Sequence, residues 1–297
     1  MAKKKMLFIL NPKAGKAQIK NHLLNILDTF IKAGYEVTTH VTQSKGDALQ
    51  VVKERPEGYD LLVCSGGDGT LDEVVAGMVK SRRALPIGYV PAGSTNDFAN
   101  SLGLPKNMVK AAQVVVDGKS FACDIGAFNR DIFVYVAAFG MFTDVSYGTG
   151  QEMKNVLGHM AYLLEGVKSL TAIKAYPMRF VHDDMVIEGD FLFGMITNSV
   201  SVGGFKRITG KNVALNDGEL EVTLIRRPTN LQELNQIVSA LLDNLETDFL
   251  YWFKTKKMSV ESPEEIAWTL DGEFGGNHKE VLIEDFREAL QIIVPKI

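Results

Sequence analysis

Along the first 120 residues the spacing of apolar positions changes period again and again. Met6–Leu10 is an unbroken apolar run. Ile19, Leu23, Ile26, Leu27, Phe30 and Ile31 then recur at helical spacing. Tyr35–Val41 alternates with period two, and a short helix is expected from Asp47. Leu61–Ser65 predicts a buried strand, Leu71, Val74, Val75 and Met78 a helix, and Pro86–Val90 another strand. Strands separated by helices imply a parallel sheet with ligands at the carboxyl ends of its strands.

Beyond Phe121 the pattern differs. Ile132–Phe139, Tyr176–His182, Val186–Thr197, Leu220–Ile225, Lys257–Val260 and Ile266–Leu270 read as strands with few helices between them, which suggests an antiparallel sandwich. Two helical stripes interrupt it, one through Val156, Met160, Leu163, Leu164 and Val167. The other runs through Leu231, Leu234, Val238, Leu241, Leu245 and Phe249. Tyr251-Trp252-Phe253-Lys254 reads as a partly buried helix end, with a membrane-contacting edge as the alternative. A last strand is expected around Ala289–Val294.

Candidate chemistry sits where strands end. Gly66-Gly67-Asp68-Gly69-Thr70 lies between a strand and a helix, where free N–H groups and a helix N-terminus can meet phosphate. Asp68 would repel phosphate unless a Mg²⁺ lay between them; the plain alternative is a tight turn with no ligand. Asn11-Pro12 ends the first strand, and Gly15 and Lys16 follow. The segment 91–97 carries Gly93, Ser94, Thr95, Asn96 and Asp97, and by itself Asp97 reads as an N-cap. In extended backbone Asp271 and Glu273 would project to one side, although Gly272 permits a turn. Asn216-Asp217-Gly218-Glu219 has turn chemistry that suits a hairpin.

Composition narrows the classes. At 297 residues the chain is long enough for two domains. A net charge of −4 argues against a nucleic-acid binder. Cys64 and Cys123 read as buried packing residues of a reducing compartment, and the five histidines lack metal-ligand spacing. Neither a signal peptide nor a membrane span is expected, so the sequence predicts a cytoplasmic protein.

The strings NPKAGK (11–16), GGDGT (66–70), PAGSTNDFA (91–99), DGEL (217–220) and LDGE (270–273) occur in the order found in bacterial diacylglycerol kinase-like lipid kinases. The sequence resembles that family, which includes sphingosine kinases and, more distantly, NAD kinases. The resemblance spans almost the whole chain. It implies a nucleotide-binding α/β domain with a parallel sheet over 1–120, completed by 286–297. A mainly antiparallel β-sandwich domain over 121–285 would carry the acceptor site and the catalytic glutamate. The implied cofactors are ATP and Mg²⁺, and the implied reaction transfers the γ-phosphoryl group to the hydroxyl of a membrane lipid such as diacylglycerol. Peripheral contact with the inner face of the membrane follows, through Lys3–Lys5 or Lys254–Lys257, and a homodimer is compatible.

Carried over residue by residue, Asn11, Pro12, Lys13, Ala14, Gly15 and Lys16 face the nucleotide. So do Thr42, Gly66, Gly67, Asp68, Gly69, Thr70 and Glu73, with Gly93, Ser94 and Asn96. Asp97 and Asp124 join Asp68 in a polar network at the catalytic centre. Asp271 and Glu273 stand at the acceptor, with Glu273 as the base. Asp217, with the carbonyls of Ala214 and Glu219, would hold a structural Mg²⁺, and Asp68 the metal at the nucleotide. Three positions depart from the family's pattern: Ser94 for threonine, Asp72 for asparagine, and Asn216 for the first of two aspartates. Two rivals stand beside this reading. An NAD kinase shares GGDGT, but its downstream Asn-Glu pair is not evident. The other is a nucleotide- or lipid-binding regulator without catalysis.

Overall fold

A computed structural model describes residues 3–55, 57–82, 85–140, 174–203, 208–210, 212–243 and 245–296. The stripe from Val156 to Val167 lies outside them. The chain forms two compact units, Met1–Cys123 with Glu288–Ile297, and Asp124–Arg287.

The first unit holds β1 (Lys4–Leu10), α1 (Ile19–Lys32), β2 (Tyr35–Val41), α2 (Asp47–Glu54), β3 (Leu61–Gly66) and α3 (Asp68–Lys80). These are followed by β4 (Ile87–Pro91), α4 (Asp97–Ser101) and α5 (Met108–Asp117). β1 pairs in parallel with both β2 and β3, and β3 with β4. The C-terminal strand adds beside β4 at Ile292. Alternate residues of a strand face opposite ways, and Met6, Phe8, Leu10, Leu61 and Val63 share a core with Ile19, Ile26 and Phe30 of α1 and Ala111 and Val115 of α5. Phe8 meets Phe30 edge-on, their centroids 5.5 Å apart. Burying each such ring contributes roughly 1.5–3 kcal/mol. α2 and α3 pack together, closely enough that a Cβ on Gly77 would stand 2.8 Å from Val52 Cβ.

β5 (Lys119–Phe128) leads into the second unit, which contains β6 (Asp131–Phe133), β7 (Val136–Gly140), β8 (Tyr176–His182), β9 (Met185–Thr197) and β10 (Leu220–Arg226). After these come α6 (Leu231–Asp243), β11 (Leu250–Thr255), β12 (Lys257–Leu270) and β13 (Glu273–Val294). The pairings β5–β6, β7–β9, β8–β9, β9–β10, β10–β11, β12–β13, β7–β12 and β8–β12 are all antiparallel. The long strands β9 and β12 pair with β8 along their first halves and with β7 along their second halves. Pairing therefore closes into a ring around an aromatic core. In that core Trp268 lies 5.1 Å from Phe128 and 4.9 Å from Phe139.

Several boundaries differ from the sequence pattern. α3 starts at Asp68 rather than Leu71, because Gly67 is the N-cap and its carbonyl already accepts from Thr70 and Leu71. Ile31 is exposed, since the buried face of α1 is Ile19, Ile26 and Phe30. The run Ile132–Phe139 is two strands, divided at Val134-Tyr135 by a contact described below. β12 passes through Pro263 as one strand, with register shifts, where two were expected. Tyr251–Lys254 is a strand paired with β10, not a helix end. α6 ends at Asp243, leaving Leu245 exposed. The expected hairpin at 216–219 is instead the end of the long connection from β9 to β10, and the C-terminal strand begins at Glu273 rather than near Ala289. Among the described residues no helix is long and apolar enough to cross a membrane.

Candidate active site

In the first unit the ends of β1, β3 and β4 are tied to one another. Ala92 N–H donates to the Gly66 carbonyl at 2.7 Å, and Asn11 N–H to that of Ser65 at 2.8 Å. The Asn11 side chain donates to Thr70 Oγ1 at 3.2 Å and accepts from Lys13 N–H at 2.9 Å. Glycine makes these approaches possible. A Cβ on Gly15, whose φ is +53°, would stand 2.4 Å from the Ala92 carbonyl oxygen, and one on Gly93 would stand 2.6 Å from Gly67 Cα. Asp68, in the first turn of α3, accepts from the Asp97 N–H at 3.2 Å, and Asp97 is buried. This edge therefore brings Asn11, Gly15, Gly66–Thr70, Gly93 and Asp97 together around one helix N-terminus. Lys13, Lys16, Gly69 and Ser94 are exposed there.

Two residues expected to face the nucleotide are otherwise engaged. Asn96 pins its own loop, accepting from Gly93 N–H at 2.9 Å and donating to the Gly93 carbonyl at 2.8 Å. Both oxygens of Glu73 accept backbone N–H groups, from Gly46 and Ala48. Thr42 sits at the end of β2, its N–H donating to the Leu10 carbonyl at 2.9 Å. Tyr89, missed in the sequence, lies behind the GGDGT turn with its hydroxyl 3.3 Å from the Gly66 carbonyl. Burial, with Asp68, Cys64 and Asp72 nearby, pushes that phenol well above its usual range. Nothing in the apolar pattern separates it from ordinary core.

The second unit holds the remaining acids. Asp124 is fully buried and accepts from Gly218 N–H at 2.7 Å. Its carbonyl accepts from the side chain of Asn198, buried and also missed in the sequence, at 2.6 Å. Asp271 and Glu273 do not lie in extended backbone. Asp271 (φ 51°) and Gly272 (φ 85°) form the two-residue turn between β12 and β13. The Asp271 carboxylate turns inward and accepts from the N–H groups of Val134, Tyr135 and Val136 at 2.6, 2.9 and 3.0 Å. That places Asp271 in the framework and leaves Glu273, one residue past the turn, exposed. Burial raises the Asp271 carboxyl to about 6 against the lowering effect of the three N–H groups.

Asp217 is paired with Lys254 at 2.6 Å, and Lys254 also lies 3.2 Å from the buried carboxylate of Glu221. Lys257 is paired with Glu284 at 2.5 Å. Both lysines are thus engaged with acids of their own unit. Among the described residues no three acidic, histidine or cysteine side chains converge as metal ligands. A site of one carboxylate and two carbonyls is of a different kind, and the donors at Asp217, Ala214 and Glu219 are all oxygen, as Mg²⁺ requires. Burial together with Asp124, Asp217 and Glu219 pushes the Asp285 carboxyl up to about 7 against the lowering effect of Arg287, and its Oδ1 is buried without a hydrogen-bond partner among the described residues. This excess of negative charge fits a cation. The same unit contains a cavity of about 1080 Å³ lined by Ile187, Glu221, Leu250 and Trp252 among others. The Trp252 Nε1 and Thr247 Oγ1 atoms on its wall are buried without partners among the described residues.

Residues 5–128 match the diacylglycerol kinase catalytic domain. Over 297 residues the chain is 32% identical to a diacylglycerol kinase of Bacillus subtilis (strain 168), covering 99% of this chain and 97% of that protein. A diacylglycerol kinase of Staphylococcus aureus (strain bovine RF122 / ET3-1) is 33% identical over 277 residues, which is 92% of this chain and 87% of the relative. A solved diacylglycerol kinase structure from Bacillus anthracis str. Sterne superposes with a TM-score of 0.76 at 22% identity, covering 99% of this chain and 98% of that one. The chain belongs to the bacterial diacylglycerol kinase family. It is a phosphotransferase of that type, using ATP to phosphorylate a lipid acceptor.

Asp271→Ala should lower the stability of the folded chain by about 3 kcal/mol at pH 7, because three buried N–H groups lose their acceptor. Urea unfolding measures this. The folded carboxyl titrates above the ordinary 3.8, so the native state holds the extra proton between that value and about 6. The contribution of Asp271 is therefore greatest below pH 4 and declines as pH rises to 6. The stability gap between wild type and Asp271→Ala should narrow over that interval.

Proposed function

We propose that ATP binds at the carboxyl edge of the first unit's sheet, with its phosphates over Gly66–Thr70 and its γ-phosphoryl group passing to the hydroxyl of diacylglycerol or a similar membrane alcohol. The observation that carries this is the convergence of Asn11, Gly15, Gly67 and Gly93 around the N-terminus of α3, which offers N–H groups and a favourable dipole to phosphate. Lys13 and Lys16, exposed on the adjoining loop, add positive charge. Asp68 would hold a Mg²⁺, which would neutralise phosphate charge when bound. Glu273 takes the proton from the acceptor hydroxyl, a role supported by its exposure beside a turn that Asp271 makes rigid. A second Mg²⁺ would be structural, held by Asp217 and the carbonyls of Ala214 and Glu219. The cavity in the second unit, where Ile187, Val222, Leu250 and Phe253 stand beside polar and charged groups such as Glu221 and Lys254, supports an acceptor with an aliphatic body and a hydroxylated head.

ATP consumption against vesicles of diacylglycerol, other lipid alcohols or sphingoid bases, and against soluble NAD, tests the whole. Turnover is expected with diacylglycerol in vesicles. Equal turnover with NAD and no response to lipid would overturn it.

Glu273→Gln should leave folding and ATP binding near normal and lower turnover by about 10²–10⁴-fold, since size is kept and basicity lost. Wild-type turnover by the purified variant would place the base elsewhere. Without nucleotide, Mg²⁺ should raise the melting temperature of the wild-type chain but not that of Asp217→Ala. An identical rise in both would exclude Asp217 as a ligand.

A further inference from the structure

We propose that Glu73 is a positioning residue that sets the loop between β2 and α2 for the nucleotide, without touching phosphate itself. This rests on ATP binding at the edge described above. α2 begins at Asp47 after Gly46, whose φ is 84°, and no side chain of its own caps it. The cap comes from α3. Glu73 Oε1 accepts the Gly46 N–H at 2.7 Å, and Oε2 accepts the Ala48 N–H at 3.1 Å. A carboxylate here meets two orphan donors at a helix N-terminus, where the dipole favours negative charge. Both oxygens point at backbone, which removes Glu73 from direct contact with an anionic ligand.

The other end of the loop is held by Asp47. Its Oδ2 accepts the Gln43 N–H at 2.7 Å, and His40 Nε2 lies 3.2 Å from both of its oxygens. The Gln43 side chain donates to the Val41 carbonyl at 2.8 Å. Thr42–Gly46 is thus fixed at both ends, with Thr42 anchored to Leu10. Glu73 lies on the same helix as Asp68, five residues on, so one rigid element fixes the Thr42 loop and the GGDGT turn relative to each other. Glutamine at 73 would keep one acceptor and turn an NH₂ group toward a second N–H.

Hydrogen exchange and ATP binding of wild type, Glu73→Gln, Glu73→Ala, Thr42→Ala and the Thr42→Ala/Glu73→Ala double variant test the proposal. In Glu73→Gln the amides of Gly46 and Ala48 should lose about tenfold in protection, with 66–72 unchanged. The Kd for ATP should rise about tenfold, the size expected for losing a hydrogen bond to a charged group, while kcat at saturating ATP stays within about twofold. The double variant should bind ATP about as weakly as Glu73→Ala alone, since the two residues act as one unit. Unchanged protection at Gly46 and Ala48, or fully additive losses in ATP affinity, would overturn it. A wild-type chain that binds no ATP would overturn both this proposal and the nucleotide site. The exchange result tells that failure apart from failure of the clamp alone.

Discussion

Three side chains in the first two turns of α3 hold three separate loops. Thr70 takes the Asn11 amide, Asp68 takes the Asp97 N–H, and Glu73 takes the N–H groups that open α2. The loops after β1, β2 and β4 are therefore fixed to a helix that the core already immobilises, because Leu71, Val74, Val75 and Met78 are buried beneath it. Glycine lets the loops come close enough for these bonds to form. The dipole of α3 and the N–H groups near it then face one place, which is the arrangement the proposed phosphate site rests on.

The second unit solves a different problem. A ring of antiparallel strands leaves turns and crossings where backbone donors lose their ladder partners. Asp271 answers this at the β12–β13 turn by taking three N–H groups that β6 and β7 leave unpaired at their junction. In the loop before β10 Asp124 takes the Gly218 N–H, and Asn198 donates to the carbonyls of Asp124 and Leu215. Asp271 and Asp124, which look catalytic in sequence, thus have framework duties. Burying a carboxylate costs free energy that these hydrogen bonds only partly offset, as the raised Asp271 titration records.

The departures from the family's pattern have local consequences. Ser94 is exposed in its loop and keeps the hydroxyl that threonine would offer. Burial pushes the Cys64 thiol and the Tyr89 phenol up, and the nearby charge of Asp72 adds to both. With asparagine at 216, Asp217 and Glu219 carry the charge of their loop, and Lys254 pairs with Asp217.

The alternation of strand and helix up to Val116, the glycine-rich turn after Leu61–Ser65, and the strand-rich pattern beyond Phe121 were legible in the sequence. Periodicity records which face of each element is buried, and burial decides those elements. The motifs at the strand ends were legible too, because phosphate chemistry demands glycine and particular polar residues. Tertiary structure alone decided where side-chain oxygens point. Glu73 and Asn96 bind backbone, Asp271 turns inward through a positive-φ turn, and Lys254 sits between Asp217 and Glu221 on a strand that looked like a helix end. Those outcomes depend on which backbone donors remain unpaired after the chain packs. Apart from Asn96, whose partner Gly93 is three residues away, these partners stand 25 to 137 residues apart along the chain and leave no local trace of that.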